Sequence, residues 1–253
     1  MSVDALPVQQ ASSRLLITLV VDTSSSMLQS DGIAQLNAAL QQWRTELLRQ
    51  QQLMRIGEIA IVTFGDRHIR VIDPSGRSDQ APSDPFVPVR DFNPPTLTAG
   101  GVTPMVEALE YAFKLVATKK QALRTAGVPL ANRPLVYLIT DGAPTDADGR
   151  LTDRWRTLVP VIRQHEAGRH LLFFALGVRG ADITVLQGLA PQSALLLADL
   201  EFTRVLQFVS TSIETANTAA TRDKPAAQVY VDIREANDRH ERIRQWLQPD
   251  RNA

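Results

Sequence analysis

The chain has 253 residues, of which 44% are hydrophobic, so it is long enough for one α/β domain with a substantial core and additional segments. Its 27 Lys and Arg residues balance its 27 Asp and Glu residues, which gives no general attraction to nucleic acid or to an anionic membrane. Cysteine is absent, and this excludes disulfides, a thiolate metal site and a cysteine nucleophile.

The first 13 residues form a polar segment that lacks the basic start and the long apolar run of a signal peptide. No apolar stretch of the sequence reaches the roughly 18 residues that are needed to span a bilayer. From these two features we expect a cytoplasmic protein with no membrane partner.

Short apolar runs predict the strands of a sheet. Buried strands are expected at 15–21, 135–139 and 171–176, where both faces are apolar. The runs at 59–64 and 69–72 are joined by a turn at residues 65 and 66, which is too short for a crossover, so this pair is predicted to be antiparallel. A sixth, edge strand is expected at 195–197.

Helical periodicity separates these runs. It predicts helices over 32–52, 103–117, 153–167, 183–189 and 202–213. The basic stretch after residue 117 is an insertion or an extension of its helix, and Pro160 is expected to kink or shorten the helix that contains it. Six prolines between residues 73 and 95 predict a surface loop there.

Alternating strands and helices predict an α/β fold over residues 14–215. We expect a Rossmann-like, doubly wound, mostly parallel six-stranded sheet with one antiparallel edge strand and helices on both faces. The strand order 3-2-1-4-5-6 would place the first and fourth strands on either side of the point where the order reverses.

Residues 216–253 are predicted to form a C-terminal extension with a polar linker, a short strand at 229–233 and an amphipathic helix at 234–247. The apolar stripe of this helix consists of Ile233, Ala236, His240, Ile243, Trp246 and Leu247. Such a stripe usually faces its own domain, and a contact with a partner or a second copy is the alternative.

Polar residues cluster where the predicted strands end. Asp22, Ser24 and Ser26 follow the first strand, and Asp141 with Gly142 follows the fourth. Thr103 comes after the glycine pair Gly100-Gly101 at the start of a helix. In an open α/β sheet, ligands bind beyond the carboxyl ends of the strands at the point of reversal, so these segments form the candidate site.

The residue types at this site favour a hard divalent cation. Two carboxylates and three hydroxyls are the oxygen ligands that Mg²⁺ prefers, with Mn²⁺ or Ca²⁺ as alternatives. The absence of His and Cys from these segments argues against zinc. The competing interpretation is that Asp22 to Ser26 only cap a helix and that Asp141 with Gly142 only forms a turn.

The pattern Asp-x-Ser-x-Ser, a downstream Thr and a later Asp-Gly resembles the metal-ion-dependent adhesion site of von Willebrand factor A domains. Asp22, Ser24, Ser26, Thr103 and Asp141 match that site position by position. The resemblance covers about residues 14–213. Within the family, the segments VDTSSSM, VTFGD, AGGVTPM and LITDGAPTD are similar to bacterial intracellular members of the tellurite-resistance TerY type.

The resemblance implies a role for each site residue. Ser24 and Ser26 would coordinate the metal directly, Thr103 would bind it directly or through water, and Asp22 and Asp141 would hold coordinated waters. The implied function is that of an adaptor or scaffold, not an enzyme, which grips an Asp or Glu carboxylate of a partner protein. The subfamily implies a bacterial stress-response, defence or signalling system with kinase and phosphatase partners.

Two other functions fit parts of the sequence. A Mg²⁺-dependent phosphatase of the haloacid-dehalogenase type also places an Asp after its first strand, but it needs a second Asp two residues later, where this chain has Ser24. A structural scaffold without metal is the second alternative. The four histidines lie apart in the sequence, each on a different predicted element, and are interpreted as surface or rim residues: His68, His165, His170 and His240.

A conformational hypothesis follows from the glycine pair. If the Gly100-Gly101 loop is flexible, the Thr103 hydroxyl can approach or leave the metal. The resemblance implies that such a movement can shift the helix at 202–213, and through it the packing of the C-terminal extension.

Overall fold

The computed structural model of the chain describes residues 13–29, 31–65, 68–78, 80–197 and 201–247, with side chains as far as residue 243. All but the last residue of the predicted N-terminal segment 1–13 lies outside this description. So do residue 66 of the expected turn, the Trp246 and Leu247 side chains, and residues 248–253.

One sheet of seven strands runs through the described residues. They are β1 Leu15–Asp22, β2 Gly57–Gly65, β3 His68–Ile72, β4 Val87–Pro88, β5 Leu135–Thr140, β6 Leu172–Gly177 and β7 Ala194–Leu196. The order is β3-β2-β1-β5-β6-β7, with β4 paired to β2. The strands pair in parallel except for β3 and β4, which are antiparallel to β2. The predicted order is confirmed, with β4 added to the six expected strands.

The prediction of a surface loop for residues 73–95 was wrong in its second half. Phe86, Val89 and Phe92 are almost fully buried, and Val87–Pro88 pairs with β2. Proline is tolerated at a sheet edge because its missing N–H faces away from the ladder. The strand has two residues and ends at Pro88, while the apolar residues around it pack into the core.

The helices cover both faces of the sheet. They are α1 Ser26–Gln29, α2 Gly32–Leu47, α3 Gln51–Ile56, α4 Met105–Thr125, α5 Leu158–Ala167, α6 Ile183–Leu189, α7 Phe202–Ala216 and α8 Ala226–Leu247. One core cluster lies under α2, α3, α7 and α8, and the other lies under α4, α5 and α6. Alternate residues of β1, such as Leu15 and Leu16, point into the two clusters, as the strand repeat requires.

Three predicted helices differ from the observed ones. The helix expected at 32–52 is two helices, because the chain turns after Leu47 and α3 then buries Leu53 before β2 begins. The basic stretch after residue 117 is an extension of α4, not an insertion. Residues Arg154–Thr157 form a short 3-10 turn, so α5 begins at Leu158. Pro160 then lies in its first turn, where its missing N–H breaks no helical hydrogen bond.

The strand predicted at 229–233 was wrong, because these residues lie inside α8. Val229, Tyr230, Ile233 and Ala236 are buried, at the three- and four-residue spacing of one helix face, and most of this face joins the core cluster under α7. The predicted docking on its own domain therefore holds for the start of the stripe, at Ile233 and Ala236, whereas His240 is exposed. Farther along the stripe, Ile243 is 54% exposed. No helix in the described part of the chain has the length and apolar character needed to cross a membrane.

Candidate metal centre

The site residues lie at one edge of the sheet because β1 and β5 are parallel neighbours. Val21 is paired with Ile139, so the residues that follow, Asp22 and Asp141, emerge at the same edge. Thr103 reaches this edge just before α4 begins at Met105. The structure therefore brings together all three predicted segments.

Asp22 is fully buried, and both of its carboxylate oxygens accept hydrogen bonds. Oδ1 accepts from the Ser24 backbone N–H at 2.9 Å, and Oδ2 accepts from Thr140 Oγ1 at 2.6 Å. Burial raises the pKa of Asp22 to about 6, although the hydrogen bonds from Ser24 and Thr140 act in the opposite direction. A cation beside this carboxylate would offset the unfavourable burial of its charge.

The serine hydroxyls link the first loop to the end of β5. Ser24 Oγ and Ser26 Oγ are 3.0 Å apart, and Ser26 Oγ donates to Asp141 Oδ1 at 2.7 Å. Ser26 is also the first residue of α1, so its position is set by the start of that short helix. The two carboxylates and two hydroxyls consequently form one connected cluster.

The backbone of Thr103 is held by two hydrogen bonds to Thr145. Its N–H donates to Thr145 Oγ1 at 2.8 Å, and its carbonyl accepts from the Thr145 N–H at 2.9 Å. The glycine pair before it is tied to the first loop, since Gly100 N donates to Thr23 O and Ser25 N donates to Gly101 O. The Gly100-Gly101 loop, which was expected to be flexible, is thus hydrogen-bonded to the loop after β1 in this conformation.

Gly142 shows where the oxygens converge. A Cβ atom built on this glycine would lie 3.8 Å from Asp22 Oδ2, 3.8 Å from Ser26 Oγ and 3.9 Å from Thr103 Oγ1. Oxygens from the end of β1 with the loop after it, and from the segment before α4, thus face one small space beside Gly142, a residue that has no side chain.

This donor set fits a hard divalent cation. Its oxygens come from two carboxylates and three hydroxyls, and the described residues contain no group of three or more His, Cys, Asp or Glu side chains that could hold a metal by themselves. The two carboxylates roughly balance the charge of a divalent ion without an excess of anion, and the neutral hydroxyl ligands leave the ion electrophilic enough to take a further ligand from outside.

Sequence reasoning assigned no role to Thr140 or Thr145. Thr140 is the last residue of β5 and bonds Asp22, while Thr145 positions Thr103 from the loop that follows Asp141. The only signal for Thr140 was its place directly before Asp141, at the end of a strand that is otherwise apolar. No feature of the sequence pointed to Thr145.

The sequence matches the profile of a family described as von Willebrand factor type A domain over residues 17–143, just over half of the chain. This range contains the five predicted site residues. A search of curated proteins found no significant match.

Solved structures share the fold at low identity. The pilus adhesin SpaC from Lactobacillus rhamnosus GG is 14% identical with a TM-score of 0.57, and the match covers 82% of this chain and 31% of that one. The von Willebrand factor domain of the type V pili tip protein Mfa5 from Porphyromonas gingivalis is 14% identical with a TM-score of 0.50, and the coverages are 80% and 97%.

A von Willebrand factor type A protein from Catenulispora acidiphila is 15% identical with a TM-score of 0.50, and the match covers 78% of this chain and 42% of that one. The chain also spans only 48% of proximal thread matrix protein 1 from the mussel byssus, which it matches at 16% identity and a TM-score of 0.50. At such identities these likenesses show the fold alone.

Proposed function

Because the chain belongs to the von Willebrand factor type A domain family, we propose that it is a metal-dependent adaptor that captures a carboxylate of a partner protein. Ser24, Ser26 and Thr103 hold the ion through their hydroxyl oxygens, and Asp22 and Asp141 contact it directly or through water. Mg²⁺ is the proposed ion, with Mn²⁺ or Ca²⁺ as substitutes.

The observation that carries this proposal is the convergence of Asp22 Oδ2, Ser26 Oγ and Thr103 Oγ1 on the space beside Gly142. When bound, the cation supplies an electrophilic centre that accepts an Asp or Glu carboxylate from outside. Thr140 and Thr145 keep Asp22 and Thr103 in place, so little reorganisation is needed when the ion binds.

A cleft beside the centre gives a partner segment additional contact. It has a volume of about 240 Å³, and its lining includes Thr23, which precedes Ser24, together with His68 and Arg70 from β3. Asp73 also lines the cleft, so its charged side chains are of both signs, and Arg70 is the one that suits an acidic residue of a partner segment.

An adaptor role is favoured over catalysis by the position two residues after Asp22. A haloacid-dehalogenase-type phosphatase needs an acid there, and here Ser24 Oγ lies against Ser26 Oγ. The name of SpaC, a pilus adhesin, agrees with a binding role for this fold. The segments VDTSSSM and LITDGAPTD support assignment to a cytoplasmic bacterial stress-response, defence or signalling system of the TerY type, with kinase or phosphatase partners.

Affinity capture from native bacterial extract tests the proposal. We expect the wild-type chain to retain a partner in Mg²⁺ and to lose it in EDTA, and we expect Asp22→Asn to retain none. The retained complex should resist added salt better than a surface ion pair would. A partner that stays bound in excess EDTA would contradict metal-dependent capture, and turnover of a generic phosphoester in Mg²⁺ would favour the phosphatase.

A further inference from the structure

A second concave site lies toward the far end of α4 from the metal centre. α4 begins two residues after Thr103, and the pocket is lined by residues from its second half, including Lys120 and Arg124. At about 1.5 Å of rise per residue, Lys120 and Arg124 lie roughly 25–30 Å along the helix from Thr103. The volume of the pocket is about 250 Å³, which is enough for a small organic molecule.

The polar part of this pocket is basic, with the cations of Lys120 and Arg124 beside the imidazole rings of His165 and His170. Lys120 and Arg124 lie one turn apart on α4, His165 comes from α5, and His170 comes from the turn that leads into β6. None of the described residues that line the pocket is acidic. Lys120 Nζ also donates to the His170 carbonyl at 3.0 Å, which ties the helix to the turn.

The pKa values of Lys120 and His165 are lowered by burial and by their basic neighbours. Burial lowers the pKa of Lys120, and the nearby Arg124 lowers it further. Burial likewise lowers the pKa of His165, with additional contributions from His170 and Lys120. Nδ1 of His165 is buried and has no hydrogen-bond partner within the described structure. An anion between these side chains would relieve their mutual repulsion.

The remaining wall of the pocket is apolar. Phe113, Val116 and Leu171 line it, and the Phe113 and His165 rings lie 5.5 Å apart between centroids. A bare inorganic ion would leave these surfaces in contact with water. A ligand that carries an organic group would bury them and gain the corresponding hydrophobic free energy.

We infer that this pocket binds a small organic phosphate. The donors come from three separate segments, which suits the several oxygens and the double charge of a phosphate better than the planar, singly charged carboxylate. The apolar wall receives the organic group. This site uses none of the residues of the metal centre, so the inference stands or falls independently of the proposed adaptor function.

Phenyl phosphate is the probe for this inference. Isothermal titration calorimetry without divalent cations, which excludes binding through the metal centre, should show saturable binding to the full chain. Arg124→Gln and Lys120→Gln should each weaken it by about tenfold or more. Lys114→Gln is the matched control, because Lys114 is an exposed lysine of α4 that does not line the pocket. This control should bind like the wild type, and all variants should keep the wild-type melting temperature.

Other ligands and the control variant decide between explanations. Phenyl phosphate should bind at least about fivefold more tightly than inorganic phosphate, because only the former covers the apolar wall. Equal affinity for the two would overturn the organic-phosphate assignment, and equal affinity for phenol would overturn the role of charge. If Lys114→Gln weakens binding as much as Arg124→Gln, or if no saturation is seen, the pocket is not a specific site.

Discussion

Ser26 donates a hydrogen bond to Asp141 across 115 residues of sequence, with 2.7 Å between Oγ and Oδ1. A serine hydroxyl has one hydrogen and two lone pairs, so Ser26 donates to Asp141, accepts from Ser24 Oγ at 3.0 Å and keeps one lone pair for a cation. The bond to Asp141 also joins the start of α1 to the end of β5. Ser26 and Asp141, two of the proposed metal-binding residues, therefore orient each other, so a substitution of either one would also affect the position of the other.

Asp22→Asn should abolish or greatly reduce metal affinity. The substitution keeps the shape of the side chain but removes the negative charge that faces the oxygen cluster, and we expect Mn²⁺ binding to weaken by at least about tenfold in calorimetric titration. Asp148→Asn removes the same charge from an exposed side chain in the loop after Asp141 and serves as the control. Unchanged Mn²⁺ affinity in Asp22→Asn would remove this residue from the site.

The choice of Asn over Ala at position 22 follows from the structure. If Asp22 were exposed, Asp22→Ala would leave the fold intact. Asp22 is instead fully buried and accepts hydrogen bonds from Ser24 and Thr140. Truncation would leave these donors unsatisfied, at about 1–3 kcal/mol for a buried group, and would mix a folding defect with the loss of metal.

Gly142→Ala is expected to affect metal binding without destabilising the fold. The added methyl group would lie in ordinary contact with the oxygens around it, at 3.8–3.9 Å, so no atom of the protein has to move. We expect an unchanged or slightly higher free energy of unfolding, by up to about 1 kcal/mol. Mn²⁺ binding should nevertheless be lost, because the methyl group enters the space that the oxygens share. Wild-type affinity in a normally folded variant would place the ion elsewhere.

The convergence of the candidate residues at one edge of the sheet follows from the strand order. Asp22 and Asp141 could be paired from the order of the predicted strands alone, since the carboxyl ends of adjacent parallel strands meet at one edge of the sheet. The supporting residues Thr140 and Thr145 could not be assigned, because their roles depend on which way a side chain points and on how a loop folds back. Neither property leaves a periodic signal in the sequence.

The C-terminal segment shows a second feature that could not be predicted from the sequence. Residues 229–233 read Val-Tyr-Val-Asp-Ile, which alternates like a strand, yet the same residues also supply a helix face through Val229, Tyr230 and Ile233. The choice between the two-residue repeat of a strand and the 3.6-residue repeat of a helix depends on the surface under α8, which is formed by distant parts of the chain. The burial of Phe86 in the proline-rich region depends on tertiary packing in the same way.

Glu166 gives the folded state a pH dependence that can be measured. It is half-buried and accepts a hydrogen bond from Tyr230, and burial raises its pKa in the folded state above the ordinary value of 4.5. Protonation therefore stabilises the fold. This contribution is complete below pH 4.5 and is lost as the pH rises through the folded-state pKa.

Glu166→Gln should remove this dependence. The free energy of unfolding of the variant minus that of the wild type, from urea denaturation, should increase as the pH is raised from about 4 to 7. Glu235→Gln, an exposed change on α8, controls for the general loss of one negative charge. A difference that stays constant or decreases over this range would show that burial does not govern this carboxyl group.

The last prediction concerns movement of the C-terminal helices. α7 is linked to the core by hydrogen bonds from Trp43 Nε1 to Ser210 Oγ at 2.9 Å and between Tyr137 Oη and Ser212 Oγ at 2.8 Å. Thr211 Oγ1 of α7 lies 3.1 Å from His240 Nδ1 of α8. If carboxylate capture shifts α7, as the family resemblance implies, α8 should therefore respond with it.

Hydrogen exchange measured in Mg²⁺ alone and in Mg²⁺ with the captured partner tests this coupling. We expect the protection of amides in 202–216 and 226–240 to change together, because α7 and α8 are in contact, while β5 amides stay unchanged. The partner can cause this change only if it binds the two conformations with different affinity. His240→Ala should reduce the response of α8 near residue 240, while the part of α8 that packs on the core through Val229, Tyr230 and Ile233 should still respond. The hydrogen bonds of Gly100 and Gly101 to the first loop oppose any movement of Thr103, and they would have to break first. Identical protection in both conditions, with the metal bound, would leave a rigid adaptor whose C-terminal helix is permanently docked.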